Sequence, residues 1–177
     1  MRLYLVRHGE AKPAEEDRVR PLSEQGRRDV QKVADFLAPL GLRVSAVWHS
    51  GKTRAAQTAE ILAAALVRTA DGGDKGDCTS ASSPRDCPLF LLRRDGLDPT
   101  DPVEPVAERI ADFSGDLMIV GHMPLLGRLA AWLVNGRDAP ELAAFRPGAI
   151  LCLEGGGQEP WRVMWMLVPE IIPSEPS

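Results

Sequence analysis

Three short segments of this 177-residue chain carry side chains suited to handling a tetrahedral anion. The first is Leu5-Val6-Arg7-His8-Gly9-Glu10. A neutral imidazole attacks phosphorus near pH 7, which makes His8 a nucleophile candidate. The Arg7 guanidinium offers a planar fork of donors that matches phosphate oxygens. Gly9 permits a sharp turn and a close ligand approach. The second segment is His49-Ser50-Gly51-Lys52-Thr53-Arg54-Ala55-Ala56-Gln57-Thr58-Ala59. It sets Arg54 in the opening turn of a helix, where exposed N–H groups and the helix dipole favour an anion. Lys52 reads as a solvated surface charge. The third segment, Val120-Gly121-His122-Met123-Pro124-Leu125, puts His122 between a strand and a helix N-terminus, where its ring can donate to a phosphoryl oxygen. Taken singly, each segment also fits a bland role: a hydrogen-bonded strand-end histidine, a solvated arginine, a helix-capping histidine.

These segments need elements to bring them together, and strands and helices alternate along the chain. Arg2–Arg7 reads as a buried strand. Ser23 is a helix N-cap, followed by Val30, Val33, Ala34 and Leu37 on one face, with Pro39 and Gly41 as the stop. Val44–Trp48 is a second strand. Ser50 is expected to cap a second helix with Ala55, Ala59, Leu62 and Leu66 on its apolar face. Leu89–Leu92 is a short strand, and Val103, Val106, Ala107, Ile110 and Phe113 mark a third helix. Leu117–Gly121 is a strand, and Pro124 opens a fourth helix carrying Leu125, Leu126, Leu129, Ala130 and Leu133. Ala149–Leu153 and Trp161–Val168 form a hairpin-like pair across Glu154–Pro160. Such alternation predicts an α/β three-layer sandwich, a mostly parallel central sheet covered by helices on both faces. Ligands then bind outside the carboxyl ends of the strands, where His8, Ser50 and His122 all fall.

Composition sets the remaining bounds. Hydrophobic residues make up 44% and charged residues 26%, which suits one globular domain over residues 1–177. A net charge of −4 argues against nucleic acid as a partner. The longest apolar run, Ile61–Val67, is too short to span a bilayer, and no signal-peptide pattern opens the chain, so a cytoplasmic protein without a membrane partner is expected. Cys78, Cys87 and Cys152 are expected to be reduced thiols, although Cys78 and Cys87 bracket a loop and can pair. From about 69 to 88 the chain turns polar and reads as a surface loop insertion, and 169–177 reads as a loose tail. A monomer is expected.

Together these segments resemble the histidine phosphatase superfamily, the phosphoglycerate-mutase-like fold, and in particular its small SixA-type phosphohistidine phosphatases. The resemblance is carried by Arg2 to Ala11, by Arg20-Pro21-Leu22-Ser23-Glu24-Gln25-Gly26, by Ser50 to Ala59, by Leu97-Asp98-Pro99 and by Gly121 to Leu126. It implies that His8 is the covalent nucleophile and that Arg7, Arg54 and His122 form the phosphate pocket. Gly9, Arg20 and Ser50 are expected to border the substrate. Arg20 either touches the phosphate or its carrier, or is a surface arginine. Two guanidiniums and a second histidine supply the positive field, so no metal or cofactor is expected. The implied substrate is phosphohistidine on a phosphotransfer protein. The alternatives are a small phosphate ester or, in another class, a non-catalytic phosphate-binding module.

The chain departs from that pattern twice. Gly51 stands where the family usually has proline, which is expected to loosen the turn while keeping Arg54. Many members also place an acidic residue, often glutamate, ahead of the position of Leu97 to protonate the leaving oxygen. Here Gly96 occupies that neighbourhood, with Asp95 and Asp98 on either side; either aspartate can serve as the acid, but both read first as turn residues. An alkoxide needs a proton to leave, whereas a protonated phosphoimidazole leaves as neutral imidazole. The missing acid therefore points to a labile phosphoryl donor.

Overall fold

The computed structural model describes residues 1–70, 89–139 and 142–173. Most of the polar stretch at 69–88, with Cys78 and Cys87, lies outside the described residues. The element order is β1 (Arg2–Arg7), α1 (Glu24–Leu37), β2 (Ala46–His49), α2 (Thr53–Ala70), β3 (Phe90–Arg93), α3 (Glu104–Ala111), β4 (Leu117–Gly121), α4 (Leu125–Asn135), β5 (Ile150–Gly156) and β6 (Glu159–Leu167). The six strands form one sheet in the order β3-β2-β4-β1-β5-β6. The first four run parallel, while β5 is antiparallel to both β1 and β6. This is the α/β, phosphoglycerate-mutase-like arrangement.

The continuous apolar runs explain the middle of the sheet. Leu3–Val6 and Leu117–Val120 are essentially inaccessible, as strands covered on both faces must be. Alternate residues feed opposite layers. Tyr4, Val6, Met118 and Val120 pack with Val30, Val33, Leu37, Ala55, Ala59 and Leu62, which puts α1 and α2 on one face. Leu3, Leu5, Leu117 and Ile119 pack with Val106, Ile110, Leu125, Leu126 and Leu129, which puts α3 and α4 on the other.

Several expected boundaries move, each for a local reason. Ser23 does cap α1, its hydroxyl accepting from the Gly26 N–H at 2.9 Å. Ser50 does not cap α2. The Lys52 carbonyl accepts from the Ala55 and Ala56 N–H groups instead, and the Ser50 hydroxyl turns toward His122. The β5–β6 hairpin closes more tightly than expected. Gly156 pairs with Glu159, and positive φ at Gly157, the first of the two loop residues, admits a two-residue turn. The expected loose tail is a correction too. Pro169–Ile171 is a short 3-10 turn, and Pro169 and Ile172 are buried, Ile172 against the α1–α2 layer.

One close contact matters for the site. Helix α1 presses so tightly on the chain after His8 that a Cβ on Gly26 would run into the Glu10 backbone. Alanine in a helix interior ordinarily gains about 1 kcal/mol over glycine. At Gly26 the overpacking outweighs that gain, and Gly26→Ala is expected to lose about 2 kcal/mol. Chemical denaturation measures the sign, and a gain in stability would contradict the contact.

Candidate active site

Three strand ends deliver the site. The His8 N–H donates to the Gly121 carbonyl at 3.1 Å, so the residue after β1 is pinned to the end of β4. His122 follows Gly121 directly, and its ring stands 4.9 Å from that of His8, centroid to centroid. Ser50, just past β2, reaches His122 with Oγ 2.6 Å from Nε2. Arg54, in the first turn of α2, donates from Nε to His8 Nε2 at 3.1 Å. Arg7 donates from Nη1 to the Phe145 carbonyl at 2.6 Å. Its backbone is held by the segment that leads into β5, through Ala149 and Gly148.

The His8 ring has only one neutral tautomer consistent with its partners. Nδ1 lies 2.6 Å from the Gly9 carbonyl, which can only accept, so Nδ1 carries the proton. Nε2 faces the Arg54 Nε–H, which can only donate, so Nε2 presents its lone pair. Burial, opposed by that Gly9 hydrogen bond and reinforced by Arg54, Arg7 and Arg20, lowers the His8 pKa to about 4. His122 is lowered to about 3 by burial, then by His8, Arg54 and Lys52, with Asp98 opposing. Both rings are neutral at pH 7. Burial and the charge of Arg20 also lower the Arg54 pKa, from a value so high that it stays cationic.

The sequence-derived residues fall as follows. Arg54, His8, His122 and Ser50 are linked in that order by direct contacts. Arg7 adjoins them, since its charge acts on His8. Arg20 is half-buried, and its charge acts on both His8 and Arg54. It holds a left-handed backbone, φ 52°, rare for a non-glycine residue, and its Nε donates to the Lys12 carbonyl. Gly9 is present for a different reason than expected. Its φ is not positive. A Cβ there would meet Val30 at 2.7 Å and the Gly26 carbonyl at 2.9 Å, so glycine is required by α1.

Lys52 is a correction. It pairs with Asp98 at 3.1 Å, only partly exposed, and its charge reaches His122. Asp98 is a correction too: it borders the site rather than serving only a turn. At Asp95 the backbone carbonyl accepts from Arg109 Nη1 at 2.8 Å. Gly96, where the resemblance expects an acid, sits at φ 83°, and a Cβ there would stand 2.5 Å from the Arg109 guanidinium. Gly51 adopts φ 81°, which proline cannot, and Arg93 lies across the space a Cβ would take. The turn is therefore a different one, not a looser version of the same.

Some contacts escaped sequence reasoning. Thr58 and Gln57 fix the site's loops: Thr58 Oγ1 accepts the Gly9 N–H at 3.1 Å, and Gln57 Oε1 accepts the Leu22 N–H at 2.8 Å. Their spacing from Arg54, three and four residues along one helix, was the available signal. The Phe145 carbonyl carried none. Among the described residues, no group of three or more His, Cys, Asp or Glu side chains is arranged to hold a metal ion. No helix among them is long and apolar enough to cross a membrane.

A family model for the histidine phosphatase superfamily (branch 1) matches residues 3–71, the span that holds His8, Arg20 and Arg54. An uncharacterized protein of Picosynechococcus sp. is 32% identical over 154 residues, covering 85% of this chain and 83% of its own length. The protein histidine phosphatase SixA, solved with tungstate, superposes with a TM-score of 0.72 at 25% identity, covering 96% of this chain and 97% of that one. A protein assigned as phosphohistidine phosphatase SixA of Agrobacterium tumefaciens gives 0.66 at 22% identity, covering 95% and 97%. With its fold, its motif order and these likenesses in agreement, the chain belongs to branch 1 of the histidine phosphatase superfamily.

Proposed function

We propose that this chain is a phosphatase that carries the phosphoryl group on His8 Nε2 and that its substrate is a phosphohistidine. The observation that carries the first part is the one-way hydrogen bonding of His8. A buried, neutral ring presents an unprotonated Nε2 that accepts from the Arg54 guanidinium. Nε2 attacks phosphorus in line, and the bond from phosphorus to the leaving atom breaks with its electron pair going to that atom. The His8 ring gains positive charge, which the Gly9 carbonyl at 2.6 Å stabilises. Charge on the equatorial oxygens is met by Arg7, Arg54 and His122, already in place and partly desolvated. Water then attacks phosphorus, the P–Nε2 pair returns to the ring, and inorganic phosphate leaves with the surplus proton passing to solvent.

The substrate reading rests on the leaving group. The carboxylate that borders the site, Asp98, is held in an ion pair with Lys52, an arrangement suited to shaping the field at His122. A phosphoimidazole protonated on its other nitrogen departs as neutral imidazole and needs no donor. The likeness to the protein histidine phosphatase SixA supports the same reading. The partner is then a phosphorylated protein, bound by a monomer.

Wild-type protein is expected to hydrolyse a phosphohistidine peptide with kcat/KM at least about 100-fold above simple alkyl phosphates, and to form an acid-labile, base-stable phosphoenzyme. His8→Ala is expected to lose about 10³-fold or more in rate. A preference for alkyl esters would reassign the chain as a general phosphomonoesterase. Equal rates for wild type and His8→Ala would leave only a binding module.

The depressed histidine pKa values predict an acid response. His8 binds a proton below about 6.5 when unfolded and below about 4 when folded, so the unfolded state holds more protons between those values. The stability this ring contributes is present above pH 6.5 and is lost as pH falls through 4. Proton NMR of the His8 ring is expected to titrate near 4, and a midpoint near 6.5 would contradict the buried, cation-flanked setting.

A further inference from the structure

We infer that Thr58 is a positioning residue whose single buried hydroxyl orients the His8 ring and ties it to Arg54. Thr58 lies in α2, one turn past Arg54, and is fully buried. Its Oγ1 donates to the Arg54 carbonyl at 2.8 Å and accepts the Gly9 N–H at 3.1 Å. Neither partner can reverse its role, since a carbonyl only accepts and an N–H only donates. The hydroxyl proton therefore has one position.

The same Gly9 residue offers its carbonyl to His8 Nδ1 at 2.6 Å. Thr58 thus acts through one residue: it fixes Gly9, and Gly9 fixes the ring and its proton. On the other side of Gly9, Val30 and the Gly26 carbonyl leave no space for movement toward α1. Packing restrains the turn from that side, and the Thr58 hydroxyl supplies its polar anchor on the α2 side. Without it the Gly9 N–H stays buried and unpaired, and the turn is driven to find another acceptor. Each such rearrangement moves the Gly9 carbonyl off Nδ1 and frees the ring to take its other tautomer, with the proton on Nε2 and no lone pair for attack. The second hydrogen bond, to the Arg54 carbonyl, ties that shift to the first turn of α2. One hydroxyl therefore sets both nucleophile and guanidinium within a fraction of an ångström, the tolerance a preorganised site needs.

This inference rests on the phosphatase reading for its kinetic consequence but not for its structural one. The test compares wild type, Thr58→Ser, which keeps the hydroxyl, and Thr58→Val, which keeps the shape. With a small phosphoramidate as donor, Thr58→Val is expected to lose 10-fold or more in kcat while the affinity for inorganic phosphate changes less than threefold. Thr58→Ser is expected to stay within threefold of wild type in both. Nitrogen-15 NMR at pH 7 reads the tautomer directly. Wild type and Thr58→Ser are expected to show His8 protonated on Nδ1, and Thr58→Val a mixture. A Thr58→Val protein with wild-type kcat, or with the single Nδ1–H tautomer kept, would overturn the inference. A wild type protonated on Nε2 would overturn it without any variant, even if Thr58→Val fails to fold. If wild type turns over no donor at all, the phosphatase reading falls, and the tautomer measurement still decides the role of Thr58.

Discussion

The site depends on a short hydrogen bond within two adjacent residues, from His8 Nδ1–H to the Gly9 carbonyl. An imidazole in water exchanges its proton freely between two nitrogens. In this fold the exchange is stopped, because one nitrogen faces a pure acceptor and the other a pure donor. The surrounding structure serves that constraint. Strand β1 ends where β4 ends, α1 closes on Gly9 from one side, and α2 reaches it from the other through Thr58.

The second constraint is charge. Arg7, Arg20, Arg54 and Lys52 converge on two imidazoles that burial already keeps neutral. By itself such a gathering of like charges is unfavourable. It persists because the guanidiniums find backbone carbonyls, Phe145 for Arg7 and Lys12 for Arg20, and because Lys52 has Asp98. The protein as a whole carries a net charge of −4, so the positive field is local.

Much of the architecture was legible in the sequence. Unbroken apolar runs such as Leu3–Val6 have no stable place except between two layers, and the 3.6-residue spacing of Val30, Val33, Ala34 and Leu37 fixes which face of α1 turns inward. The strand-end rule then brought His8, Ser50 and His122 to one rim without further information. What failed were local choices decided by tertiary partners. Ser50 is a good cap by type, yet His122 lies within reach and takes its hydroxyl. Lys52 looks like a solvent residue until Asp98, far along the chain, arrives beside it. Gly9 was read as an opening for ligand, whereas α1 needs the missing side chain. The tail looked loose because Ile171 and Ile172 are an isolated apolar pair among prolines and polar residues, and only the α1–α2 layer gives Ile172 a place.

The contact between Arg54 and His8 Nε2 has a consequence for traffic through the pocket. In the proposed reaction the His8 lone pair is shared with Arg54 beforehand, so an arriving phosphoryl group must displace the guanidinium from the ring while recruiting it to oxygen. Loading is an exchange of partners, and so is the reverse. As the product departs, the arginine has a ready alternative on the ring, and the pocket does not pass through a state with its cation unpartnered. A guest that binds by charge alone is thereby held less tightly than the density of cations suggests, which favours turnover over retention.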